Sequence, residues 1–195
     1  FDIVVSNPPY IGIKQVNKFN WKNDLKESYS FLDDLYNHFT FLASFIVKDK
    51  GIVTFITSDT FMTLQTKKNM RDLILKYEVD KFVTIPKAFK ALVDTCIFIF
   101  KKKKFTNNNL IDYIDLRNLQ SNSIEDNKDI KGWEKILKKV FKQNINEYST
   151  SIQQNLYLET FNNVFFNPTK ENLLINDKIV NSVSNDYKNY WNLIK

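Results

Sequence analysis

The stretch Phe1-Asp2-Ile3-Val4-Val5-Ser6-Asn7-Pro8-Pro9-Tyr10 decides the fold. Ile3-Val4-Val5 is a short, unbroken β-branched run, as expected of a strand buried on both faces of a parallel sheet. Two prolines then forbid its continuation, so the strand ends at Asn7. The quartet Asn7-Pro8-Pro9-Tyr10 suits a planar ring that carries an amino group. Asn7 offers a side-chain carbonyl, Pro8 a backbone carbonyl held by a locked φ, and Tyr10 a stacking face. The exocyclic amine of adenine is a poor nucleophile because its lone pair is delocalised into the ring. Two acceptors on its two hydrogens oppose that delocalisation, and Asn7 and Pro8 are the candidates.

Outward from the quartet, residues 11–30 read as a polar loop over the site, with Phe19, Trp21 and Tyr29 interspersed. Ser30 is expected to cap a helix whose core stripe is Phe31, Leu35, Phe39, Leu42 and Ile46, with Asp33 and Asp34 in its first turn and Gly51 as C-cap. The lone His38 falls within that helix and takes no catalytic role. Residues 52–57 read as a second buried strand, which makes 3–57 a βαβ unit. Ser58-Asp59-Thr60 then caps a helix running to about Tyr77. Strands at 79–85 and 95–100 flank the loop 86–92 and form a long hairpin. Beyond Lys104 the chain turns polar, with a turn at 106–109 and a further strand at 110–116. Residues 121–131 are expected to be exposed and 133–141 helical. Asn167-Pro168-Thr169 reads as a helix start with proline early in the helix. Tyr187, Tyr190, Trp191 and Ile194 share one helical face, read as packing.

At 195 residues, with 43% apolar and 15% aromatic side chains, the chain suffices for one core and an appendage, and it has no apolar run of membrane-spanning length. It begins with Phe1, directly in a strand, and reads as a segment of a longer, cytoplasmic protein. One cysteine, Cys96, excludes an intrachain disulfide. One histidine and one cysteine leave no metal-ligand cluster. The net charge of +6 suits a polyanionic partner. Lys101 to Lys104 reads equally as a solvated strand end.

The quartet resembles motif IV of the amino-methyltransferases and is similar to that of γ-class N6-adenine DNA methyltransferases. It also occurs in protein-glutamine and some RNA guanine methyltransferases. Gly51-Ile52-Val53-Thr54-Phe55-Ile56-Thr57-Ser58 resembles their motif VI, and Ala88-Phe89 through Val93-Asp94-Thr95 their motif VIII. The whole chain is similar to the part after motif IV in large adenine-specific methyltransferases of type IIG restriction-modification and BREX-type systems. Phe165-Phe166-Asn167-Pro168-Thr169-Lys170-Glu171-Asn172 through Trp191 resembles their connector before a target-recognition domain.

The resemblance implies an α/β fold: the C-terminal half of a Rossmann-like class I methyltransferase sheet, with parallel strands and a final antiparallel hairpin, followed by a mostly helical extension. Residues 1–104 would be the second half of the catalytic domain, 105–131 a polar connector and 132–195 the extension. It also implies a double-stranded DNA substrate with a flipped adenine held between Tyr10 and Phe89. The catalytic residues would be Asn7, Pro8, Pro9 and Tyr10. S-adenosylmethionine is the implied cofactor, with Asn7 and Pro9 lining its methyl end. A glycine-rich cofactor loop precedes motif IV in that class. The only glycines here are Gly12, Gly51 and Gly132, too widely separated to form one. The chain is therefore expected to hold the base-binding half of the site. Methylation of RNA or protein glutamine, or a non-enzymatic basic DNA- or partner-binding module, remain the alternatives.

Overall fold

The computed structural model describes residues 1–16, 33–85, 94–117 and 149–182. Its strands are β1 (Ile3–Ser6), β2 (Ile52–Ser58), β3 (Glu78–Ile85), β4 (Thr95–Lys101), β5 (Leu110–Asp115) and β6 (Ser149–Gln153). They form one sheet in the order β1-β2-β4-β3-β5-β6. β1 and β2 are parallel. β4 lies antiparallel between β2 and β3, β5 returns parallel to β3, and β6 ends the sheet antiparallel. The βαβ unit and the antiparallel β3/β4 pair are those expected from the sequence. The helices are α1 (Ile13–Val16), α2 (Leu35–Ile46), α3 (Lys68–Leu75), α4 (Gln154–Glu159) and α5 (Lys170–Ser182).

One face of the sheet is the core. Val53 and Phe55 of β2 sit opposite Phe100 and Phe98 of β4, which in turn face Val79 and Phe82 of β3. Tyr36 and Ala43 of α2, Met70 and Ile74 of α3, and Tyr157 and Phe165 from the far end of the chain close over that face. Arg71 is fully buried in the same layer. Its guanidinium donates to the carbonyls of Phe61 and Leu64, both at 2.7 Å, and of Asn162 at 3.0 and 3.1 Å. Carbonyl dipoles thus satisfy its planar fork.

Several expectations need correction. Ile3 and Val5 are exposed and only Val4 packs on the core, because side chains alternate along a strand and Ile3 and Val5 point to the face away from that core. The stripe Phe39, Leu42 and Ile46 faces outward with Phe45, while Tyr36, Asn37, His38, Thr40, Ala43 and Ser44 are buried. α2 begins only at Leu35, and a polar network described below sets its rotation. Gly51 is not the C-cap, which is Val47. A Cβ on Gly51 would lie 2.6 Å from Val47 and 2.8 Å from the Asp2 carbonyl, so the residue is small for close packing. The helix expected after Ser58 is broken into 3-10 turns at Asp59–Met62 and Gln65–Lys67 before α3. α5 is capped by Thr169, whose Oγ1 accepts the Asn172 N–H at 3.2 Å, so Asn167-Pro168 lies wholly before it. The extension also contributes β6 to the sheet, a strand that its sequence did not announce. Only Ile152 of β6 is buried, so Ser149-Thr150-Ser151-Ile152-Gln153 lacks apolar alternation. Ser30, Phe31, Phe89, the loop 86–92, the helix expected at 133–141 and the stripe from Tyr187 to Ile194 lie outside the described residues.

Candidate functional site

The strands that share a direction, β1, β2, β3 and β5, end at Ser6, Ser58, Ile85 and Asp115. These four ends lie along one edge of the sheet, and β4 enters there, with Thr95 opposite both Ser58 and Ile85. Ligands of open α/β sheets bind outside such carboxyl ends. The quartet emerges at this edge. Asn7 and Pro9 are exposed, Pro8 is buried and Tyr10 is half-buried. The Tyr10 hydroxyl donates to the Ile56 carbonyl of β2 at 3.2 Å, and its ring meets that of Tyr36 edge-on at 6.4 Å and 80°. Burial pushes the Tyr10 phenol above its ordinary pKa, so it stays neutral in ordinary buffers. Tyr10 lines an open cleft of about 410 Å³ with Gly12, Ile13, Lys14, Gln15 and Asp34.

Beneath the cleft lies a polar network that the sequence reading missed. Lys67 is buried and its ammonium contacts both Asp33 and Asp34, the latter at 2.7 Å. Asp34 Oδ1 accepts the Ile13 N–H at 2.6 Å, and the Leu35 N–H donates to the Ile11 carbonyl at 2.9 Å. Asp33 also accepts from Asn37 Nδ2, and its N–H donates to His38 Nε2 at 3.3 Å. Burial holds the His38 imidazole below its ordinary pKa. The Tyr36 ring lies 5.7 Å beneath the Lys67 ammonium, and its hydroxyl is 3.1 Å from Thr60 Oγ1. A signal was present in the sequence. Lys67, which immediately precedes α3, stands three, four and seven residues before Met70, Arg71 and Ile74 on the inward face of that helix, and a buried cation there requires a carboxylate.

Two further charged groups stand at the same edge. Burial, reinforced by the charge of Asp94, raises the Asp59 carboxyl above the usual range. Asp115 is buried, yet hydrogen bonds from the Arg117 side chain and backbone outweigh that burial and hold its carboxyl low. At the opposite edge, Lys50, Lys76, Tyr77 and Lys102 to Lys104 line an open cleft of about 620 Å³. Lys103 there is paired with Glu78 at 2.9 Å. Among the described residues, no group of three or more His, Cys, Asp or Glu side chains is placed to hold a metal ion, and no helix is long and apolar enough to cross a membrane.

Residues 1–92 match the family model described as Eco57I restriction-modification methylase. No curated protein matches the chain. Among solved structures, the methyltransferase subunit of a type I restriction-modification system from Streptococcus thermophilus is similar over 82% of this chain and 35% of its own, with a TM-score of 0.55 at 18% identity. The type IIG restriction endonuclease BpuSI is similar over 79% of this chain and 19% of its own, with a TM-score of 0.50 at 15% identity. The ATP-dependent type ISP restriction-modification enzyme LlaBIII, solved bound to DNA, is similar over 78% of this chain and 12% of its own, with a TM-score of 0.56 at 19% identity. This chain spans between 12 and 35% of the length of these three. What it shares with them is the fold of restriction-modification methyltransferases.

Proposed function

We propose, from the match of residues 1–92 to the Eco57I restriction-modification methylase family, that this chain is the base-binding half of a DNA adenine-N6 methyltransferase. The observation that carries this reading is the placement of Asn7-Pro8-Pro9-Tyr10 at the carboxyl end of β1, with Asn7 exposed and Tyr10 opening onto a cleft.

In this reading a flipped adenine stacks on Tyr10, and its amine donates one hydrogen to Asn7 Oδ1 and the other to the Pro8 carbonyl. Both acceptors withdraw the nitrogen lone pair from conjugation with the ring and aim it away from the base plane. The resemblance assigns the other face of the base to Phe89, which lies outside the described residues. Such acceptors act through positioning and electrostatics, with no covalent enzyme intermediate. S-adenosylmethionine supplies, when bound, an electrophilic methyl group on a sulfonium. The described residues fit its methyl end only. Asn7 and Pro9 are exposed at the end of an edge strand, whereas no glycine-rich turn able to cradle the remainder occurs among Gly12, Gly51 and Gly132. Asn7 holds the amine until transfer, and the proton lost from nitrogen leaves to solvent.

The experiment is transfer of labelled methyl groups by the intact protein, offered double-stranded DNA, RNA and protein, with Asn7→Ala beside the wild type. DNA is expected to be the substrate, with label on adenine N6. Asn7→Ala is expected to lower transfer at least a hundredfold while the melting temperature changes little, since Asn7 is exposed. Label on RNA or protein alone, or near-normal transfer by Asn7→Ala, overturns the reading.

A further inference from the structure

We propose that Lys67 is a positioning residue for the base-binding site, acting through Asp34 and Tyr36 on the segment from Tyr10 to Ile13; this inference rests on the reading above. Ile13 after β1 and Lys67 after β2 are linked through the start of α2. Asp34 stands at that junction. One of its oxygens receives the Ile13 N–H at 2.6 Å and the other faces the Lys67 ammonium at 2.7 Å. Asp33 contacts the same ammonium. Among the described residues, Lys67 is thus the cation paired with both of these adjacent carboxylates, and its side chain is only 5% exposed. Without it, like charges would force Asp33 and Asp34 apart in a poorly solvated place. The Ile13 N–H would then lose its acceptor, and the turn below Tyr10 would be released.

A second path reaches the same ring. The Lys67 ammonium lies 5.7 Å from the centre of Tyr36, and Tyr36 supports the Tyr10 ring edge-on at 6.4 Å. Tyr36 is anchored to the β2 exit by Thr60, which Ser58 Oγ contacts at 2.9 Å. Lys67 touches neither base nor methyl donor. It sets the height and tilt of the ring on which the base stacks.

The test uses the intact protein with DNA carrying 2-aminopurine at the target adenine, whose fluorescence rises when the base leaves the stack. Lys67→Met is expected to lower kcat at least tenfold and to reduce the 2-aminopurine signal, with S-adenosylmethionine affinity within about twofold of wild type. Lys67→Arg, which keeps the charge, is expected to recover kcat and signal to within about threefold. Asp34→Ala removes the Ile13 acceptor at a residue less buried than Lys67 and is expected to reproduce the Lys67→Met pattern, which secures the result if Lys67→Met does not fold. An active wild type whose folded Lys67→Met or Asp34→Ala variant keeps native kcat and fluorescence overturns this inference alone. A wild type silent in both assays overturns it together with the methylation reading.

Discussion

Asp115 receives hydrogen bonds from Thr84 Oγ1 at 3.0 Å, from the Arg117 N–H, Nε and Nη2 at 3.0, 2.9 and 2.8 Å, and from Asn167 Nδ2 at 2.9 Å. Burial disfavours its charge, but these donors win and hold the carboxyl at about 2 against an ordinary 3.8. A lowered carboxylate contributes stability that is present above its ordinary pKa and lost as pH falls toward the folded value. Asp115→Asn is therefore expected to cost about 2 kcal/mol at pH 7. The gap to wild type should shrink between pH 4 and pH 2, read by urea unfolding at several pH values. A constant gap would contradict this account. The position of Asn7, Pro8 and Tyr10 just past the end of β1 was legible in the sequence because two prolines after a β-branched run permit few backbone paths. The partners of Asp115 and Lys67 were not: beside its neighbour Arg117, Asp115 takes donors from Thr84 and Asn167, 31 and 52 residues away, and Lys67 meets Asp33 and Asp34 across separations no local pattern encodes.

At the scale of elements, β6 and α4 meet the amino end of β3 through one side chain. Gln154 is fully buried; its carbonyl accepts from the Val79 N–H at 3.0 Å and Asn109 Nδ2 at 2.7 Å, and its amide donates to the Tyr77 carbonyl at 2.7 Å. Val79 precedes the parallel pairing of β3 with β5, which begins at Lys81 and Asp112, so its N–H needs an acceptor from outside the ladder and Gln154 supplies it. Gln154→Ala should destabilise the fold by roughly 1–3 kcal/mol and speed hydrogen exchange at Val79 ahead of its neighbours in β3. Unchanged exchange at Val79 would refute the assignment. The hairpin of β3 and β4 was legible from two apolar runs. The direction of α2's buried face was not: Tyr36, Asn37, His38, Thr40, Ala43 and Ser44 turn inward, a mixed face that counting apolar residues at helical spacing does not single out.

Across the whole molecule, the succession of strands and helices through residue 101 was legible in the sequence and the antiparallel insertion of β4 beside β3 was what the resemblance implied, while the reach of the far end into the core was not. Phe165 packs against Phe82 at 4.8 Å and Phe61 at 6.2 Å, and Tyr157 meets Phe82 at 6.3 Å. Both rings are fully buried, and the Asn162 carbonyl receives the Arg71 fork. Residues far apart in sequence thus build one interior, which has a consequence for severed polypeptide. A chain cut at a protease site inserted within 118–148 should remain one particle under native conditions, its two pieces eluting together and separating only in denaturant. Phe165→Ala should let them part without denaturant, and pieces that separate while the wild-type rings are intact would refute this. The two pieces are then a complementation pair, able to report their own reunion through whatever activity is joined to them.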